Sequence, residues 1–340
     1  MGLFKQNVAI DLGTSTVLVC VGHKGVVLKE PSIVAVKTNT RNIVAIGEDA
    51  RQMIGRTPDD VTTVKPIQNG VISSFTITKK MIRFFLNKAL SNPLKRIFLP
   101  DVIMCVPSKT TNVERRAVEQ AAQDAGAHRV FLVEEPLAAA VGAGLDISRP
   151  SGHMIVDVGG GTTDIAVISF DGIVTSKSVK VGGNDFDETI KNYLKRSRNL
   201  MVGDTTAEHV KIEAGCLYEG VRNDSVEVHG SDILTGLPSE YVVTSQELAE
   251  SLVSTALPVL DGIRAVLEET PPELAADIYT KGILMTGGGS LLAGFDELIR
   301  KTTGVEAFVA DEPQYCVARG SIEILNRMSK NKKDAYGIKR

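Results

Sequence analysis

The sequence predicts an α/β fold built from two similar halves that face each other across a cleft, and three observations carry that prediction. An apolar run, an aspartate, a short glycine- and hydroxyl-containing turn and a second apolar run occur twice. The first copy is Val8-Ala9-Ile10-Asp11-Leu12-Gly13-Thr14-Ser15-Thr16-Val17 and the second Met154-Ile155-Val156-Asp157-Val158-Gly159-Gly160-Gly161-Thr162-Thr163-Asp164-Ile165. After each copy the pattern continues through further strands into alternating helices and strands, so the internal repeat spans about half the chain. No Pro-, Ser- or Gly-rich linker divides the halves, which implies a tight hinge with a cleft between them. A chain of 340 residues is long for one core, and two domains are the natural expectation.

The elements follow in order. Residues 7–20 read as two strands around the turn at 11–16, and 26–36 and 43–46 continue the strand pattern across a turn at 38–42. Residues 78–90 turn helical: Met81, Phe85 and Ala89, with Ile82, Leu86 and Leu90, recur at a spacing of four. Residues 101–106 form a buried strand stopped by Pro107. A helix with Val113, Ala117, Ala121 and Ala125 on one face then stops at Gly126. After a strand at 130–133, Pro136 opens a helix through Ala143, with Glu134 and Glu135 at its positive end. The second half restarts with strands at 155–158, 165–170 and 172–181 and helices at 186–198, 207–214 and 246–269, the last kinked by Pro258. A strand at 283–286 ends in Gly287-Gly288-Gly289. A helix carrying Leu291, Leu292, Phe295 and Leu298 follows, then a strand at 305–309 and a final helix at 317–328.

Composition narrows the class. The chain is 43% hydrophobic and 23% charged, as in a soluble globular protein. A net charge of −3 argues against a nucleic-acid partner. Cys20, Cys105, Cys216 and Cys316 show no metal-binding spacing and read as buried reduced thiols of a cytoplasmic protein. No apolar stretch has the length of a spanning helix or a signal-peptide core, so membrane contact is expected only at a surface.

Hairpin tips of this kind aim backbone N–H groups and hydroxyls at phosphate oxygens. Gly13, Thr14, Ser15 and Thr16 do so in the first turn, and Gly159, Gly160, Gly161, Thr162 and Thr163 in the second. Asp11 and Asp157 end equivalent strands, and their carboxylates suit Mg²⁺, held through water because Mg²⁺ dehydrates reluctantly. The sequence holds no GxxxxGK[ST] and no GxGxxG with its distal acid, which excludes a P-loop and a Rossmann site. Gly287, Gly288, Gly289 and Ser290 lie between a strand and a helix, where a ligand can be approached closely.

These motifs together resemble the phosphate-one, phosphate-two and adenosine motifs of the actin-like ATPase superfamily and, within it, the MreB-type bacterial actins. Glu30-Pro31-Ser32, Met53-Ile54-Gly55-Arg56-Thr57-Pro58, Val113-Glu114-Arg115-Arg116-Ala117, Glu134-Glu135-Pro136-Leu137-Ala138-Ala139-Ala140, Thr235-Gly236-Leu237-Pro238 and Thr270-Pro271-Pro272-Glu273-Leu274 carry the finer resemblance, which covers residues 8–328. It implies an actin-like, ribonuclease H-like duplicated fold of two lobes and four subdomains around a nucleotide cleft. Lobe I would comprise residues 1–148 and 315–340, with its small subdomain near 33–66. Lobe II would comprise 149–314, with its small subdomain near 182–243.

The resemblance also implies roles. ATP or ADP with Mg²⁺ would occupy the cleft. Gly183, Asn184 and Asp185 resemble a turn beside the nucleotide, and Glu208 and Lys211 resemble ribose contacts. Glu135 and Thr162 would place the attacking water in a slow ATP hydrolysis, with Glu134 as the alternative. The helix dipole is expected to keep Glu135 ionised. The family forms head-to-tail protofilaments that pair antiparallel, and Val113, Arg116 and Val118 map to the pairing helix. Ile97, Phe98 and Leu99, beside Lys95 and Arg96, map to a loop that inserts into an anionic membrane surface. Leu3 and Phe4 beside Lys5, and the basic tail 330–340, are secondary candidates there. Membrane proteins of wall elongation such as RodZ are implied as partners, at the inner face of the cell membrane. The competing readings are a kinase of the same superfamily, for which no catalytic pocket is legible, and a heat-shock-type chaperone, which needs a substrate domain that residues 1–340 do not contain. A plasmid-segregating or division-ring actin is a third.

Overall fold

In the computed structural model, which describes residues 6–90 and 99–331, the repeat appears as two five-stranded sheets of identical topology. In the first, β1 (Asn7–Leu12), β2 (Thr16–Val21) and β3 (Val26–Pro31) form an antiparallel meander. β9 (Asp101–Val106) and β10 (Arg129–Glu134) extend it in parallel beyond β1. In the second, β11 (His153–Val158), β12 (Thr163–Ser169) and β13 (Gly172–Val179) form the meander, and β17 (Ile283–Thr286) and β18 (Ala307–Val309) extend it in parallel beyond β11. The inner parallel strands β9 and β17 are buried on both faces, and they read as nearly continuous apolar runs.

Helices fill the space around the sheets. α4 (Glu135–Gly142) and α10 (Cys316–Asn331) share one core with both sheets: Leu137, Ala138, Val317 and Ile322 cluster with Ala9 and Ile103 of the first and Ile155 and Ala166 of the second. This core joins the halves below the cleft. α2 (Phe75–Ala89) and α3 (Asn112–Ala125) cover the outer face of the first sheet. α5 (Gly183–Arg198), α6 (Asp204–Ala214), α7 (Ser245–Glu268), α8 (Pro272–Lys281) and α9 (Phe295–Thr303) surround the second. Each half also carries a small three-stranded sheet. One has order β5 (Ile43–Ile46), β4 (Val34–Lys37), β6 (Val61–Val64), with α1 (Glu48–Arg51) against it. The other has order β14 (Leu200–Met201), β15 (Ser225–Asp232), β16 (Pro238–Thr244). A short ribbon, β7 (Ile67–Gln68) with β8 (Val71–Ile72), completes the strands.

Several local expectations change. The run at 26–36 is two strands in different sheets: β3 ends at Pro31, whose missing N–H cannot continue a ladder, and β4 starts a new sheet. The helix expected from Leu291 is a 3₁₀ turn, Gly288–Leu291, followed by α9 after Gly294. α7, by contrast, runs through Pro258 as one helix, as expected. α2 and α5 begin three residues earlier than periodicity indicates. The β15–β16 hairpin and α8 were not legible. Each of those two strands buries one residue, and α8 buries only Ile278, so neither shows a strong apolar period.

Candidate functional site

The two turns meet. A Cβ added at Gly160 would lie 2.2 Å from Ser15 Oγ, and one at Gly161 would lie 2.9 Å from Thr14 Oγ1, so only glycines let the second turn pack onto the first. Ser15 Oγ donates across the cleft to Asn184 Oδ1 (2.9 Å), and the Gly70 N–H donates to Thr14 Oγ1 (3.2 Å). The second turn is braced from behind, where the N–H groups of Gly183 and Asn184 donate to the Gly159 and Gly160 carbonyls at 2.9 and 2.8 Å.

A cavity of about 480 Å³ opens beside these turns. Of the predicted ligand-contacting residues, Asp11, Gly13, Thr14, Ser15, Thr16, Glu135, Asp157, Gly159, Gly160, Thr162, Gly183, Asn184, Glu208, Lys211, Gly287, Gly288 and Gly289 line it. Four do not, and each has another task. Gly161 faces Thr14. Thr163 Oγ1 donates to the Val181 carbonyl (2.8 Å), Asp185 accepts the Gly182 N–H (2.8 Å) at the start of α5, and Ser290 Oγ donates to the Gly287 carbonyl (2.7 Å). These three polar side chains hold the loops in shape.

The cavity floor is an acid cluster. Burial, and then the charge of Asp157, pushes the Asp11 carboxyl up to about 7. Burial also raises Asp157, to about 6, although Thr286 Oγ1 donates to it at 2.7 Å. Glu135 lies well above the usual carboxylate range because of burial first, then the charges of Asp164, Asp11 and Asp157. The expectation that the helix dipole keeps Glu135 ionised is thus corrected. A first-turn dipole contributes only about 1 kcal/mol, less than burial beside like charges. Glu134 is not equivalent, since it pairs with Arg115 at 2.5 Å. Three desolvated carboxyls that line the cavity, those of Asp11, Glu135 and Asp157, suit a hard divalent cation held through water.

The upper cleft is polar on both walls. Arg51 of α1 pairs with Glu208 of α6 at 2.8 Å, so the two small sheets' helices are tied across the opening. Lys211 lies 2.8 Å from Asp187 Oδ1 and donates to the Gly183 carbonyl (2.9 Å). Ile212 and Leu291, both exposed, flank Lys211 and Gly288 at the cavity edge.

Sequence reading missed Asp164, Lys29, Asp187 and Gln314. Asp164 had a signal: it stands directly opposite Asp157 across the hairpin, so two aspartates bracket the glycine turn symmetrically. Its carboxylate accepts the Ser108 N–H (2.8 Å) and Oγ (2.9 Å), and burial still raises it. Lys29, Asp187 and Gln314 reach the cavity only through strand pairing and packing.

The predicted surfaces fare unevenly. Val113, at 78% exposure, and Arg116 are on the surface of α3, but Val118 is buried at 8% against the first core. Val118 is therefore corrected from the pairing surface to the interior. The buried stripe is Val118, Ala121, Ala122 and Ala125, and Val113 lies outside it. Leu99 is exposed, while Ile97, Phe98, Leu3, Phe4 and residues 332–340 lie outside the described residues. Among the described residues no helix is long and apolar enough to cross a membrane, and all four cysteines are buried and unbridged.

Comparison with known proteins places the chain. The family profile described as "MreB/Mbl protein" matches residues 5–333. The chain is 45% identical over 332 residues to the cell shape-determining protein Mbl of Bacillus cereus, covering 96% of this chain and 99% of that one. It is 42% identical over 339 residues to the cell shape-determining protein MreB of Escherichia coli, covering 98% and 97%. The crystal structure of MreB5 of Spiroplasma citri bound to ADP superposes with a TM-score of 0.91 at 35% identity, over 97% of this chain and 99% of that one. The AMPPNP-bound form of MreB5 gives 0.89 at the same identity and coverage.

Proposed function

The chain belongs to the MreB/Mbl family of cell shape-determining proteins with the actin-like fold, and on that premise we propose that it is a polymerising ATPase whose membrane-associated filaments organise wall synthesis and maintain rod shape. The observation that carries this reading is the cavity of about 480 Å³ closed by one turn from each half over a shared acid floor. The ADP- and AMPPNP-bound MreB5 structures support a nucleotide in the same cleft.

The residues divide the work. Thr14, Ser15 and Thr16 offer hydroxyls to phosphate oxygens, and the second turn offers the backbone N–H of Gly160, that of Gly159 being spent on the Thr162 carbonyl. Glu208 and Lys211 face the ribose, and Ile212 and Leu291 flank the base. Asp11 and Asp157 would hold Mg²⁺, which supplies positive charge opposite the phosphates. Such a charge would lower the proton affinity of Glu135, and Glu135 and Thr162 would orient the attacking water. Hydrolysis removes one of the contacts holding the two turns together, so it biases the angle between the halves and, through it, the contacts between subunits.

The filament would be head-to-tail and paired antiparallel through the α3 surface carrying Val113 and Arg116. It would lie at the inner face of the cell membrane, with Ile97, Phe98 and Leu99 meeting anionic lipid and wall-elongation proteins such as RodZ as partners. The test is sedimentation and light scattering of the purified chain with Mg²⁺ and ATP, ADP or no nucleotide. ATP-dependent polymer with slow phosphate release supports the reading. A protein that stays monomeric with ATP on lipid-coated grids at concentrations that bind nucleotide overturns it.

A further inference from the structure

The identical sheets place equivalent rows of side chains beside the cleft. Asp11, Leu18 and Lys29 stand directly opposite one another on β1, β2 and β3. Asp157, Asp164 and Ser178 do so on β11, β12 and β13. Opposed residues share a sheet face, so each row points one way. All three members of the first row line the cavity.

The rows end differently. In the second, Ser178 Oγ donates to Asp164 Oδ2 (3.3 Å), so the outer position serves the middle one. In the first, Leu18 has no polar group to serve. Lys29 is exposed and makes no ion pair among the described residues; its Nζ rests 5.3 Å from the centroid of the Tyr315 ring. The charges of the cavity sharpen the point. Its lining holds the carboxyls of Asp11, Glu135, Asp157, Asp187 and Glu208 but only two cations, Lys29 and Lys211. Lys211 is committed to Asp187 and the Gly183 carbonyl. Lys29 also borders the adjoining space below α1 that Thr14, Ser15 and Thr16 share, so it sits beneath the first turn.

We propose that Lys29 is a phosphate-binding residue: its ammonium leaves the Tyr315 face and meets the phosphate chain of the nucleotide from the outer strand of the first sheet. Two strand spacings, about 10 Å, separate its backbone from that of Asp11, and a lysine side chain spans most of that distance over the small step at Leu18. An exposed cation–π contact is weaker than a charge-assisted hydrogen bond to phosphate, so the exchange is downhill. The proposal rests on the nucleotide reading above.

The test is calorimetric titration of the full chain with adenosine, ADP and ATP, each with Mg²⁺, for wild type, Lys29→Gln and Lys29→Arg. Lys29→Gln should weaken ADP and ATP by roughly ten- to a hundredfold and leave adenosine unchanged, and Lys29→Arg should restore most of the loss. Wild type that binds no ATP defeats the nucleotide reading itself. Wild type that binds ATP while Lys29→Gln binds it equally well overturns the assignment of Lys29. An equal loss for adenosine also overturns it, because the role would then be structural.

Discussion

The two turns at the cleft occupy the same place in identical sheets, yet they meet a ligand by different means. The first, Gly13 to Thr16, brings hydroxyl side chains, and its neighbours across the sheet are Leu18 and Lys29. The second, Gly159 to Thr162, brings backbone, and its neighbour across the sheet is a second aspartate, Asp164. Glu135, on α4 of the first half, borders the same cavity and feels the charges of Asp164, Asp11 and Asp157. Duplication therefore set the frame, and divergence at a few positions gave the two turns different groups. The first half contributes hydroxyls, Glu135 and a lysine that makes no ion pair among the described residues. The second contributes backbone and the opposed aspartates Asp157 and Asp164.

Four substitutions break or sharpen that division. Glu135→Ala should slow phosphate release by about 10²–10³-fold while nucleotide binding survives, measured by single-turnover phosphate assay. An unchanged rate would remove Glu135 from the chemistry. Gly160→Ala drives a methyl group into Ser15 and should force the turns apart, weakening ATP by roughly ten- to a hundredfold in titration. ATP affinity equal to wild type would show that the turns need not touch.

The acid floor gives a pH test whose sign is fixed. Asp11 and Asp157 have folded-state values of about 7 and about 6, above the ordinary value near 3.8. The folded state thus binds more protons than the unfolded state between those limits, and ligand-free stability falls as pH rises from about 4 through 7. Asp11→Asn should stabilise ligand-free protein at pH 8 by on the order of 1–3 kcal/mol, read as a raised melting temperature, with the gain gone near pH 4. The same substitution should weaken Mg²⁺-dependent nucleotide binding. A destabilised Asp11→Asn protein at pH 8 would contradict the acid-floor account. The smallest effect belongs to Arg51→Ala. It opens one partly exposed ion pair across the cleft and should speed nucleotide dissociation by about two- to fivefold in stopped flow.

Much of this molecule is legible in the chain because its informative signals are local. An aspartate, a glycine turn and hydroxyls within six positions identify each hairpin, and their repetition identifies the duplicated fold. What was not legible depends on register and packing. Lys29 is exposed in an ordinary strand and acquires meaning only by standing opposite Leu18. Thr163, Asp185 and Ser290 carry the right chemistry for a ligand but spend it on neighbouring backbone. Val113 and Val118 were both mapped to the pairing helix by the resemblance, but they do not share a face. The two are five positions apart, about 140° around a helix. A Val118→Glu protein should fail to fold, whereas Val113→Glu should fold and lose filament pairing.

The central claim is that one turn from each half closes on a single Mg-nucleotide. Its most direct test is calorimetric titration of ATP with Mg²⁺ into wild type and into Thr14→Val and Thr162→Val proteins of matched stability. One nucleotide per chain is expected, with weaker ATP binding when Thr14 is changed and slowed hydrolysis with binding retained when Thr162 is changed. Two nucleotides per chain, or ATP binding and turnover indifferent to both substitutions, would contradict the account.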